Sequence, residues 1–212
     1  MPEVLDERSV VKPPAVVVIG ASAGGIEALS TILGGLPKDF PAPIVVVQHR
    51  SPTTASLLVP ILGRRSTMPV VDALEGESLK AGVVYVARPD QHLKLTDTGG
   101  FLYVDGHRIH HVLSSATSLF ESAAQIYGIG AIGVVLTGYG RNGTDGVQAI
   151  KQGGGVVIAQ DLETSRHFDM PRSAIATGAV DYILPVEEIA PALVRVATAR
   201  AHRNRRPDTQ PS

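Results

Sequence analysis

Unbroken apolar runs, more than alternating ones, set the rhythm of this chain. Ala15-Val16-Val17-Val18-Ile19 is apolar throughout and stops at Gly20-Ala21-Ser22-Ala23-Gly24-Gly25; then Ile26, Leu29, Ile32 and Leu33 recur at helical spacing. The pattern predicts a buried strand, a tight turn and a helix. Ile44-Val45-Val46-Val47-Gln48 repeats the strand, closed by His49-Arg50, and Ser51-Pro52 opens a second helix, since proline suits a first helical turn. Residues 79–105 read differently. Val83-Val84-Tyr85-Val86-Ala87, His92-Leu93-Lys94-Leu95 and Phe101-Leu102-Tyr103-Val104 are short runs split by Pro89-Asp90 and Gly99-Gly100, which predicts a β-meander insertion. Further on, the periodicity predicts helices over 115–127, 144–152, 172–177 and 186–199, and strands over 131–137, 156–160 and 182–184.

Strands alternating with helices of this length imply βαβ crossovers. The expected fold is α/β: a three-layer αβα sandwich around a doubly wound, mainly parallel sheet with a β-meander or hairpin insertion. The 212 residues suit one domain over 15–199, with a linker at 1–14 and a polar tail at 200–212. No internal repeat is visible.

Composition narrows the function. Hydrophobic residues make up 44% and charged residues 18%, enough apolar character for a sizeable core. The net charge of -1 offers no general attraction to nucleic acid or anionic membranes, and the absence of tryptophan argues against a base-stacking surface. With no cysteine there is no disulfide, thiol nucleophile or zinc-thiolate site. No apolar run reaches membrane-spanning length and residues 1–14 lack the features of a secretory signal, so a cytoplasmic protein without membrane insertion is expected.

In an open parallel sheet, ligands bind beyond the carboxyl ends of the strands. Three expected strand ends carry chemistry there: Ser22, His49 and Asn142. Ser22 sits among small residues on a strand-to-helix turn, where the N–H groups at Ala23 and beyond can stabilise an oxyanion; an ordinary helix cap is the competing role. His49 at a polar strand exit fits either a structural residue or a general base for Ser22. The turn Gly138-Tyr139-Gly140-Arg141-Asn142-Gly143 borders the same edge, with a main-chain N–H near Tyr139 as a second oxyanion donor. A phosphate-binding turn is a rival reading of the glycines. However, Ser22 breaks G-x-G-x-x-G, and no Lys-Ser/Thr pair follows. His107, His110 and His111 cluster without an acidic or cysteine partner at ligand spacing, so no metal and no cofactor is expected. His92 and His167 read as surface or loop-support residues.

Several segments in order carry a family resemblance: Val18-Ile19-Gly20-Ala21-Ser22-Ala23-Gly24-Gly25, Val46-Val47-Gln48-His49, Val135-Leu136-Thr137-Gly138, Ile158-Ala159-Gln160-Asp161, Met170-Pro171-Arg172-Ser173-Ala174-Ile175 and Gly178-Ala179-Val180-Asp181. Together they resemble the catalytic domain of the chemotaxis protein-glutamate methylesterases (CheB-type) over about residues 15–195. The resemblance implies Ser22 as nucleophile, His49 as base, and hydrolysis of glutamyl methyl esters on methylated chemoreceptor helices, with glutamine deamidation by the same route. The family's third residue is an aspartate in Thr-Gly-Met-Gly-x-Asp-Gly. Here that position is Asn142, and the methionine position is Tyr139. The family's Arg-Pro-Ser is Leu113-Ser114-Ser115. With about 14 residues ahead of the first strand, a stand-alone domain without the family's receiver domain is expected. Asp145 is the nearby alternative carboxylate, expected inside the next helix and pointing elsewhere. A neutral Asn142 also leaves open a catalytically impaired binding or regulatory module and, further off, a nucleotide-binding α/β protein.

Overall fold

The computed structural model describes residues 12–49, 57–89, 91–105 and 115–203. In chain order the elements are β1 (Val16–Ala21), α1 (Gly25–Gly35), β2 (Ile44–Gln48), α2 (Leu58–Gly63), β3 (Val70–Asp72), β4 (Val84–Val86), β5 (His92–Leu95), β6 (Phe101–Val104), α3 (Ala116–Tyr127), β7 (Ala131–Val135), α4 (Thr144–Gln152), β8 (Val156–Gln160), α5 (Asp169–Ile175), β9 (Tyr182–Leu184) and α6 (Val186–Arg203). Seven strands form one sheet in the order β3-β4-β2-β1-β7-β8-β9, all pairs parallel. β5 and β6 pair antiparallel as a separate hairpin.

Residue alternation along β1 builds both halves of the core. Val17, Ile19 and Ala21 pack with Leu29, Ile32 and Leu33 of α1, Leu58 and Leu62 of α2, and Ile189 and Leu193 of α6. Val16 and Val18 face the opposite side, with Phe120 of α3, Val147 of α4 and Met170 of α5, and with the hairpin. Each inner strand is buried on both faces, so it reads as a continuous apolar run. The α/β three-layer sandwich holds as expected.

Two local expectations are corrected. Val84–Val86 is no part of a meander: it pairs in parallel with β2 on one side and β3 on the other, inside the main sheet. Its fully buried residues mark it as a two-face-covered strand, whereas β5 and β6 each leave a residue exposed. Beside it lies β3, a three-residue strand that the sequence pattern did not predict. It follows Pro69 and is largely exposed at the sheet edge, with Asp72 as its last residue; a short, charged edge strand resists pairing with other chains. His92, read as a surface or loop-support residue, is instead only 4% exposed and begins strand β5. The terminal helix continues past residue 199 to Arg203. The start of the second helix at Ser51-Pro52, the His107, His110 and His111 cluster, and most of the expected linker and tail lie outside the described residues.

The strand order reverses at β1, which is flanked by β2 on one side and β7 on the other. Such a reversal opens a crevice at the carboxyl ends of the strands. Gly20 lets α3 approach it, because a Cβ there would lie 2.7 Å from the Ala116 Cβ. The start of α3 is thereby brought against the end of β1.

Candidate active site

The carboxyl ends of β2, β1 and β7 lie side by side. β1 and β2 are in parallel register up to Ala21 and Gln48, and His49 N–H donates to Ala21 C=O at 3.0 Å. Ser22 and His49 are therefore the next residues along two adjacent strands, whose axes lie about 4.8 Å apart. On the other side, Ser22 N–H donates to Thr137 C=O at 3.0 Å.

The turn after Ser22 is fixed by close packing. Gly25 N–H returns to Ser22 C=O at 2.9 Å, and Gly24 takes a left-handed φ of 78°. A Cβ on Gly24 would meet the Arg166 Cβ at 2.7 Å and the Thr137 Cγ2 at 3.2 Å. Contacts within the protein thus account for this glycine without a bound phosphate. Neither Ala23 N–H nor Gly24 N–H donates to an acceptor among the described residues, as is usual for the first N–H groups of a helix.

Gln48 ties the two chain segments together. Its Nε2 donates to Ser22 C=O at 2.7 Å and to His49 C=O at 3.0 Å. One buried amide thus bridges the backbones of the residues expected as nucleophile and base. Its Oε1 is packed against Gly25 and has no hydrogen-bond partner among the described residues. Gln48→Leu keeps the bulk but removes a donor from two carbonyls, of which Ser22 C=O keeps Gly25 N–H. The expected loss of stability is about 1–3 kcal/mol, read from denaturant unfolding; an unchanged midpoint would count against the bridge.

The loop after β7 is braced from the segment ahead of α5. Gly138 N–H donates to His167 C=O at 2.8 Å, and His167 N–H donates to Thr137 Oγ1 at 2.8 Å. Thr137 N–H is held by Gln160 Oε1 at 2.9 Å. A Cβ on Gly138 would lie 2.6 Å from the Ser22 Cβ, so this loop touches the serine. Gly138 N–H is already engaged, which leaves the N–H of Tyr139 as the donor nearest the expected place; among the described residues it has no acceptor. The Tyr139 side chain is 61% exposed and leans on the His167 ring, with centroids 4.1 Å apart. It stands at the rim.

Asn142 is 4% exposed, and its Nδ2 lies 2.9 Å from His49 Nε2. Its Oδ1 lies 3.3 Å from Ser115 Oγ and 3.4 Å from Thr117 N. Ser115 caps α3 by accepting from Thr117 N–H at 3.1 Å, and Thr117 Oγ1 in turn accepts from Gly143 N–H at 3.1 Å. Asp145 is in the first turn of α4, with its side chain exposed. It is thus Asn142 that the fold brings to His49, beside Ser22 and the start of α1. Among the described residues no group of three or more His, Asp or Glu side chains could hold a metal ion.

Several contributors have no role assigned from sequence: Gln48, Ser115, Thr117, Thr137 and the His167 main chain. A polar residue ending an otherwise apolar strand was the available signal for Gln48. For Ser115 it was the hydroxyl two residues ahead of Thr117 at a predicted helix start.

Comparison with known proteins agrees with this architecture. A family model described as CheB methylesterase matches residues 17–193. A protein-glutamate methylesterase/protein-glutamine glutaminase 2 of Anaeromyxobacter dehalogenans is 47% identical over 178 residues, 84% of this chain and 52% of that protein. A protein-glutamate methylesterase/protein-glutamine glutaminase of Thermotoga maritima is 42% identical over 196 residues, 89% of this chain and 57% of that protein. The chain therefore spans about half the length of these curated relatives. The crystal structure of the Thermotoga maritima CheB methylesterase catalytic domain superposes with a TM-score of 0.84 at 42% identity, covering 86% of this chain and 98% of that one. With the sheet, the crevice at its reversal point and most of the chain matched, this protein belongs to the CheB methylesterase family.

Proposed function

We propose that this protein hydrolyses glutamyl methyl esters on chemoreceptor-type proteins in the cytoplasm, with Ser22 as nucleophile, His49 as base and Asn142 as the residue that orients the imidazole. One observation carries the reading: Ser22 and His49 end two adjacent parallel strands, with the Asn142 amide 2.9 Å from the His49 ring. Ser22 Oγ attacks the ester carbonyl as His49 takes its proton. The tetrahedral oxyanion is met by main-chain N–H groups at Ala23 and Tyr139. The C–O bond to the methoxy group breaks, His49 returns the proton, and methanol leaves. Water, deprotonated by His49, then cleaves the acyl-serine and releases the glutamate carboxyl and the serine. A glutamine side chain entering the same route would lose ammonia instead, in keeping with the glutaminase in the relatives' names.

A binding or regulatory role is the second reading, and Asn142 favours it: a neutral amide gives the imidazolium no opposing charge. No helix among the described residues is long and apolar enough to cross a membrane, so the protein would meet receptors at their water-exposed helices. The test is methanol release from a methylated receptor fragment, with heat-denatured protein as the blank. Release above the blank supports the hydrolase. Binding of the fragment without methanol would overturn it in favour of the second reading.

A further inference from the structure

We infer that Ser115 is a positioning residue: its hydroxyl lets the Asn142 amide turn over, and so decides which nitrogen of His49 holds the proton. This rests on the reading of Ser22 and His49 as nucleophile and base.

The argument begins with the chemistry of an amide. Asparagine presents a donor at one end and an acceptor at the other, whereas an ionised aspartate presents acceptors only. In the structure the donor end faces His49, with Nδ2 2.9 Å from Nε2. An N–H directed at Nε2 requires a lone pair there, so the proton of the neutral imidazole sits on Nδ1. With Nε2 occupied by the amide, Nδ1 is the nitrogen that must take the serine proton, and in this tautomer it is already protonated. This arrangement is a parked one, unable to act as a base.

Turning the amide over cures this. Oδ1 then accepts from Nε2–H, and Nδ1 gains the lone pair that general-base chemistry needs. The other end of the amide must be served as well, and there Ser115 decides the outcome. In the parked state the Ser115 hydroxyl donates to Oδ1 at 3.3 Å while its oxygen accepts from Thr117 N–H at 3.1 Å. In the turned state the same oxygen accepts from both Thr117 N–H and Asn142 Nδ2, using its two lone pairs, and the hydroxyl proton swings away. On turning, only the Ser115 proton gives up its acceptor, while both ends of the amide and the Thr117 N–H keep a partner.

Without the hydroxyl this tolerance disappears. In Ser115→Ala the Thr117 N–H has, among the described residues, Oδ1 alone to donate to, 3.4 Å away. A turned amide would aim its NH2 group at that N–H, donor against donor, at a buried site. The amide is then held parked. Asn142→Asp has the opposite effect: a carboxylate cannot donate to Nε2, so His49 must present Nε2–H whatever residue 115 is.

A double-mutant cycle joined to histidine NMR tests this. Ser115→Ala is expected to lower kcat by about tenfold or more with little change in KM, and Ser115→Thr to restore it. In the Asn142→Asp background the same Ser115→Ala change should carry a distinctly smaller penalty, because no amide remains to be turned. A purely structural role for the cap would cost the same in both backgrounds, and that result would overturn the proposal. Independently of turnover, 15N spectra of the His49 ring, assigned by its loss in His49→Ala, should show a resting Nδ1–H tautomer in the parent and Nε2–H in Asn142→Asp. Equal tautomers in the two proteins would overturn it as well, even if Ser115→Ala failed to fold. Failure of the nucleophile assignment would instead show as turnover surviving loss of the Ser22 hydroxyl, with the tautomer difference intact.

Discussion

Replacing Ser22 with alanine is expected to bring ester hydrolysis close to the uncatalysed background, a loss of about 10³-fold or more. In the proposed route the serine hydroxyl forms the covalent intermediate, so its loss removes the acyl-enzyme step. The fold should be untouched. Ser22 holds its place through the main chain, with its N–H on Thr137 C=O and its C=O on Gln48 Nε2 and Gly25 N–H. None of these bonds uses the side chain. Melting curves that coincide, alongside initial rates that do not, are the expected pair of results. Turnover within a few-fold of the parent would mean that water is activated directly and that Ser22 is only a turn residue.

The second large effect runs upward. Asn142→Asp is expected to raise kcat by about 10- to 1,000-fold, below the ceiling of about 10⁴ that the asparagine exchange costs in the serine-histidine-aspartate template. Two gains combine: a carboxylate stabilises the imidazolium, and it forces the tautomer in which the base can act. Part is offset, because the new charge is taken out of water at a buried position. Ser115 Oγ and Thr117 N–H stand ready to solvate one carboxylate oxygen while the other meets His49. Asp145→Asn should change the rate little, since that side chain is exposed in the first turn of α4 while Asn142 touches the ring. A silent Asn142→Asp beside a dead Asp145→Asn would reverse the two roles.

How much of this was legible in the sequence depends on whether the information was local. Val16–Ala21 and Ile44–Gln48 announced themselves because a strand covered on both faces must be apolar throughout. The same rule applied to Val84-Tyr85-Val86, and grouping it with the hairpin gave weight to nearness along the chain over its unbroken apolar character. Val70–Asp72 carried no signal, since an exposed edge strand owes its existence to a neighbour already in place. At the site, Ser22 and His49 could be read because strand ends converge in any parallel sheet. The approach of Asn142 to His49 followed from the resemblance and not from spacing. Ser115 lies 27 positions from Asn142, and Thr137 lies 30 from His167. Contacts of that range arise only once the helices have packed on the sheet.

The hydrogen bond from Gly143 N–H to Thr117 Oγ1 bears on how the protein ages. In an asparagine-glycine pair the glycine nitrogen readily attacks the side-chain amide carbon, closing a cyclic imide with loss of ammonia; water then opens the ring to aspartate or isoaspartate. Here that nitrogen is turned toward Thr117 at 3.1 Å, and the amide is sequestered between His49 and Ser115. Ring closure must wait until the junction of α3 and α4 opens, so the conversion records the time each molecule has spent locally unfolded. A stock kept cold and folded should retain its amide, whereas repeated warming should accumulate acid at this one position. Because one product is the carboxylate expected to raise turnover, a thermally stressed sample could gain activity as it decays.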